Sequence, residues 1–141
     1  MSAVYEVVIF TASLKYYADR IMKILDPRRQ YVSNMLYRDS CCKTKSGKLV
    51  KDLSVIAGVP MEDMILVDNN MYSLWPQPSN GVPILHFTFD KQDQELEMLA
   101  DLLDSVTDKP HQDLFADTFR VKEMMHSQDL SDYYSCFDVC F

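Results

Sequence analysis

Three groups of residues have the type and spacing to do chemistry. Thr11 stands where a short apolar run, Val7 to Phe10, gives way to the helical spacing of Leu14, Tyr17, Ala18, Ile21, Ile24 and Leu25, which Pro27 stops. A hydroxyl at a strand-to-helix switch sits beside free backbone N–H groups and the positive end of a helix dipole, a natural seat for phosphate. Asp68, Asn69 and Asn70 follow a second apolar run at 64–67. Oxygen-bearing side chains at the carboxyl end of a parallel strand lie where α/β proteins bind ligands, and they suit a hard cation such as magnesium. The competing expectation is that Asp68 and Asn69 only cap the next turn. Between these groups, Arg38, Lys43, Lys45, Lys48 and Lys51 stand against Asp39 and Asp52 alone. A basic patch on an acidic protein steers an anionic ligand to one place. The same lysines also suit the guarded edge of a solvated hairpin.

Other chemistries find less support. Cys41 and Cys42 are adjacent, and Cys136 and Cys140 are four positions apart with no second ligand pair nearby. Neither spacing makes a zinc site or a disulfide framework. His86, His111 and His126 are scattered and receive no role. The formal net charge of -7 argues against a general nucleic-acid binder, which needs a basic surface. No apolar run approaches the ~20 residues of a membrane span, and the first residues lack the basic start and apolar core of a signal peptide. A nuclear or cytoplasmic setting is therefore expected.

The elements that must position these groups follow from the pattern. A strand at 7–10 and the helix after it are followed by a break at Asp26-Pro27. Residues 31–51 are neither helical nor fully apolar, and Ser46-Gly47 marks a turn, so a small antiparallel hairpin insertion is expected there. Asp52 to Gly58 reads as a short helix closed by glycine. Strands are expected at 64–67 and 81–85, and an amphipathic helix over 92–106 carries Leu96, Leu99, Leu102, Leu103 and Val106. The pattern predicts an α/β fold, a parallel sheet with helices on both faces, over residues 1–106. Residues 107–141 form a separate helix and tail, the helix carrying Leu114, Phe115, Phe119, Val121, Met124 and Met125.

Four stretches occur in the order and spacing of a known family: Phe10-Thr11-Ala12-Ser13-Leu14, Leu36-Tyr37-Arg38-Asp39-Ser40-Cys41, Val50-Lys51-Asp52-Leu53 and Leu66-Val67-Asp68-Asn69. Together they resemble the small CTD phosphatases, the FCP-homology domains of the haloacid-dehalogenase superfamily. The resemblance implies a HAD-like, Rossmann-type sheet. It also implies magnesium-dependent dephosphorylation of phosphoserine or phosphothreonine in proteins, often the RNA polymerase II tail, through a phosphoaspartyl intermediate. By the same resemblance, Thr11 holds a phosphoryl oxygen and Lys51 neutralises phosphate and nucleophile. Asn69 with Asp68 beside it binds magnesium, Arg38 reaches the substrate, and Leu14 and Tyr17 line an apolar substrate pocket.

The chain departs from the family in one motif above all. The D-x-D-x-T sequence that supplies nucleophile, acid/base and metal contacts from the first strand is absent, since no two aspartates here are separated by one residue. Without it, phosphoryl transfer loses nearly all its rate, so the chain is expected to be a truncated, inactive phosphatase domain that lacks its first strand. The other expectation is a non-catalytic phosphopeptide-binding module, of the type found in a mitochondrial inner-membrane translocase subunit. Asn70-Met71 stands where active relatives have Ser-Pro, a smaller difference that concerns local loop geometry.

Overall fold

The computed structural model describes residues 4–107. Strand β1 (Val7–Phe10) leads into helix α1 (Lys15–Leu25), which crosses over to strand β2 (Val32–Leu36). The two strands pair in parallel, Phe10 opposite Leu36 and Ile9 opposite Met35, with a register slip between Val7 and Val8. Residues 32–36 were expected in the hairpin insertion; instead they belong to this parallel pair. The reason is legible afterwards: Ser33 and Asn34 are exposed in mid-strand, so β2 lacks the continuous apolar run of a buried parallel strand. Leu14, not a hydroxyl residue, occupies the cap position of α1 and makes no side-chain cap. Of the helix's residues only Ala18 is buried, and Ile24 is 80% exposed.

Asp26 makes the turn from α1 to β2. Its carboxylate accepts from the N–H groups of Gln30 (2.8 Å), Tyr31 (3.0 Å) and Val32 (3.0 Å). Desolvation pushes this carboxyl up, and the three backbone donors outweigh it, holding the group below the usual carboxylate value. A folded pKa below the unfolded one stabilises the fold above the unfolded value, and that contribution is lost as pH falls through the folded one. Acid titration of thermal stability is therefore expected to show a component from Asp26 at the lower edge of the carboxylate range. Asp26→Asn should flatten it, and an unchanged acid profile in that variant would remove this carboxylate from the turn's energetics.

Strands β3 (Cys42–Lys43) and β4 (Leu49–Val50) form an antiparallel hairpin, Cys42 opposite Val50 and Lys43 opposite Leu49. Its turn is closed by Thr44, whose hydroxyl accepts from Lys48 N–H (2.9 Å), and by Gly47 at φ 85°, where a side chain would be strained. The expected helix after Lys51 is one 3-10 turn, Leu53–Val55. Strand β5 (Leu66–Asp68) pairs in parallel with β6 (Gly81–Pro83), and helices α2 (Met71–Leu74) and α3 (Glu95–Ser105) follow the two strands.

Two apolar clusters hold the strand ends in place. Val50, Leu53, Met64, Leu66 and Leu74 pack between the hairpin, β5 and α2; Val82, Leu99, Leu103 and Val106 seat α3 on β6. Tyr5, just before β1, donates its hydroxyl to Leu103 O (2.8 Å) and so ties the start of β1 to the end of α3. Asn80, 2% exposed, donates to Met61 O (2.6 Å) and Met64 O (2.9 Å), fixing the entry to β5. Among the described residues β1 pairs with β2 alone and β5 with β6 alone, so the α/β architecture consists of small parallel pairs and not one continuous sheet. The helix expected from Leu114 to Met125 and the tail after it lie outside the described residues.

Candidate anion site

The loops after β1 and β2 are bound together. Thr11 N–H donates to Leu36 O (2.9 Å), Arg38 N–H to Ser13 O (3.1 Å) and Arg38 Nε to Ala12 O (2.6 Å). The guanidinium is thus anchored by one N–H, and no acceptor among the described residues takes its terminal nitrogens. Thr11 Oγ1 accepts from Ser13 N–H (3.1 Å), which leaves its own proton to donate. The hydroxyl thereby stiffens the loop in front of α1.

A second set of bonds fixes how α1 meets this loop pair. Tyr37 donates its hydroxyl to Asp19 (2.7 Å), and Lys15 donates to both Asp19 (3.0 Å) and the Tyr37 hydroxyl (3.0 Å). The bond from Tyr37, then that from Lys15, hold the Asp19 carboxyl below its ordinary value. Leu14 and Tyr17, expected to line an apolar pocket, are 45% and 54% exposed on the first turn of α1.

Lys51 joins the two halves of the molecule. Its ammonium bonds Asp68 Oδ2 and lies 5.9 Å from the centre of the Phe10 ring, next to Thr11. Asp68 is buried and Lys51 is partly buried. Asp68 Oδ1 accepts from Asn70 N–H (2.7 Å), and Asn70 caps α2 through Tyr72 N–H (3.0 Å). The chain on the other side of Lys51 is held by Gln77, which donates to Asp52 Oδ1 (2.5 Å) and accepts from Leu53 N–H (3.1 Å). Nothing local in the sequence marks Gln77, since its partners are twenty-five positions away.

Cys41 lies within the field of the same groups. Burial pushes its thiol up, against the downward pull of Lys51 and Arg38, so at neutral pH it is a protonated thiol and no nucleophile.

Asn69 does not join Asp68. Its amide pairs with His86 Nδ1 (3.1 Å), at a cavity of about 280 Å³ that Ile84, Leu85, Phe87 and Leu96 also line. His86 had received no role from the sequence; a lone histidine seventeen positions away carries no pattern to find it by. The donor set for magnesium is therefore poor. Both oxygens of Asp68 are engaged, by Lys51 and by Asn70 N–H, and the Asn70 oxygen accepts from Tyr72 N–H, while Asn69 bonds His86 through its amide nitrogen and leaves one open oxygen. No cluster of three or more metal-binding side chains occurs among the described residues. As they stand, these residues do not fit the ion.

Thr11, Arg38 and Lys51 thus stand near the ends of β1 and β2 in an α/β protein. The chain belongs to a particular family of such proteins, the NLI interacting factor-like phosphatases, whose model matches residues 1–114. It is 35% identical over 129 residues, 89% of this chain and 22% of the other, to CTD small phosphatase-like protein 2 of Dictyostelium discoideum. It is 39% identical over 106 residues, 75% of this chain and 36% of the other, to CTD small phosphatase-like protein 3 of Caenorhabditis elegans. A mitochondrial import inner membrane translocase subunit of Candida albicans is 30% identical over 114 residues, 81% of this chain and 24% of the other. The chain spans roughly a quarter to a third of the length of these relatives. Among the described residues no helix is long and apolar enough to cross a membrane.

Proposed function

We propose that this chain is the phosphate-recognising part of a protein serine/threonine phosphatase domain of HAD-like fold, inert in phosphoryl transfer as it stands. Its ligand is a phosphoserine or phosphothreonine side chain in a protein. The observation that carries this reading is the bonding of the Thr11 and Arg38 loops to each other, with Lys51 reaching the end of the same strand. Thr11 donates its hydroxyl proton to a phosphoryl oxygen, Arg38 offers its free terminal N–H groups, and Lys51 supplies the second positive charge. Magnesium belongs to the proposal only as a family expectation. Its binding at Asp68 requires that carboxylate to leave Lys51, while Asn69 holds His86 through its amide nitrogen and keeps its oxygen open.

Titration of the 141-residue chain with a phosphoserine peptide and its unphosphorylated twin tests this reading. A hydrogen bond to a charged group is worth about 1.5–3 kcal/mol, so Arg38→Met is expected to weaken the phosphopeptide about tenfold or more and leave the plain peptide unchanged. Equal affinity of the two peptides for the unaltered chain would end the proposal.

A second reading is a binding module of the same fold without catalysis. It is favoured by the absence of two aspartates spaced one residue apart anywhere in the 141 residues, and the similarity to a translocase subunit is compatible with it. A nuclear or cytoplasmic location goes with the first reading and a mitochondrial one with the second.

A further inference from the structure

We infer that the β3–β4 hairpin carries a second anion site, which selects phosphopeptides with another acidic side chain two to four residues from the phosphorylated one. The inference rests on reading Thr11, Arg38 and Lys51 as the first phosphate seat. Charge is the starting observation. Residues 38–52 hold five cations and two carboxylates, whereas the rest of the chain holds nine cations and nineteen carboxylates. One of the two local carboxylates, Asp52, is occupied by Gln77 and by Ser54 N–H (2.9 Å). Lys43 and Lys45 are exposed and make no ion pair among the described residues.

The pairing of the hairpin decides which way these cations face. Val50 is buried, and Cys42 opposite it packs on the same cluster. Side chains alternate along a strand, so the other cross-strand pair, Lys43 and Leu49, is turned to the opposite face. Lys51, two positions beyond Leu49, follows the end of β4, where its ammonium bonds Asp68. With roughly 5 Å between paired strands and 3.3 Å per residue along them, the Lys43 backbone stands about 8–9 Å from that of Lys51. The Lys43 stem runs along the turn, its Cε 3.7 Å from where a Cβ on Gly47 would stand, towards the tip that bears Lys45. An extended peptide covers this distance in two to four residues. The hairpin is also held in position: Lys48 Nζ lies 4.1 Å from the centre of the Tyr72 ring on α2, directly after the Asn70 cap.

Anisotropy titrations of the full 141-residue chain with three labelled peptides test the inference. One is unphosphorylated, one carries phosphoserine between neutral residues, and one carries phosphoserine with glutamates two to four positions away on either side. The glutamate-flanked phosphopeptide is expected to bind about fivefold more tightly than the neutral one, the upper end for an exposed ion pair. The gain should fade as added salt screens exposed charges. In Lys43→Ser/Lys45→Ser it should vanish while the neutral phosphopeptide binds as before. Equal affinities for the two phosphopeptides overturn the inference and leave the first seat standing. A double variant that loses the neutral phosphopeptide as well also overturns it, because the lysines then belong to the first seat. No preference for phosphate in any peptide removes both readings.

Discussion

Lys51→Ala is expected to cost about 3–5 kcal/mol of folding free energy, the range for removing one partner of a buried ion pair. The Lys51 and Asp68 side chains are 13% and 7% exposed, so the carboxylate left behind is poorly hydrated and lacks its counter-charge. After the substitution Asp68 retains only the N–H of Asn70. For a domain whose whole stability is of order 5–15 kcal/mol, such a loss brings the chain close to unfolding. Urea denaturation measures it directly. The comparison that isolates the charge is Lys51→Met together with Asp68→Asn. This pair keeps the bulk of the stem and an acceptor for Asn70 N–H but has no buried charge, and it should recover most of the loss. A Lys51→Ala midpoint equal to that of the unaltered chain would mean that the pair does not close the two halves of the molecule.

The sequence announced the parts of this site that depend on local pattern and missed those that depend on distant partners. The hydroxyl at Thr11 was legible because strand period gives way to helix period within a few residues, and the structure places it at the end of β1. Asp68 was legible as a strand-end carboxylate for the same reason, and β5 ends on it. What pattern could not supply was direction. Asp68 and Asn69 are adjacent in the chain, yet one side chain meets Lys51 and the other His86, because successive residues at a strand end point to opposite sides. Strand β2 was misread as insertion because its exposed centre, Ser33 and Asn34, hides a parallel pairing that depends on β1. Gln77 and Tyr72 hold Asp52 and Lys48 across twenty or more positions, contacts with no local signature.

Incubated with p-nitrophenyl phosphate and magnesium, the 141-residue chain is expected to release no product above the uncatalysed rate. Covalent phosphoryl transfer needs a carboxylate free to attack phosphorus, and a second group to protonate the leaving oxygen. Of the carboxylates around the candidate site, exposed Asp39 has no aspartate one residue away to serve as its acid, and the others are already committed. Asp68 is bonded to Lys51 and Asn70, Asp52 to Gln77, and Asp19 to Tyr37 and Lys15. Cys41 offers no thiolate, since burial holds its proton on. Removing the nucleophile from a catalytic unit costs on the order of 10⁶ in kcat. In the proposed reading, Thr11, Arg38 and Lys51 favour bound phosphate without supplying a nucleophile to break it. Turnover in this assay, lost both in Lys51→Ala and in the milder Thr11→Val, would show a working nucleophile at this seat and overturn the expectation. If phosphopeptide binds while phosphate is never released, recognition and hydrolysis are separable in this fold: the first depends on the loops after β1 and β2, the second on a pair of aspartates one residue apart, which the 141 residues lack.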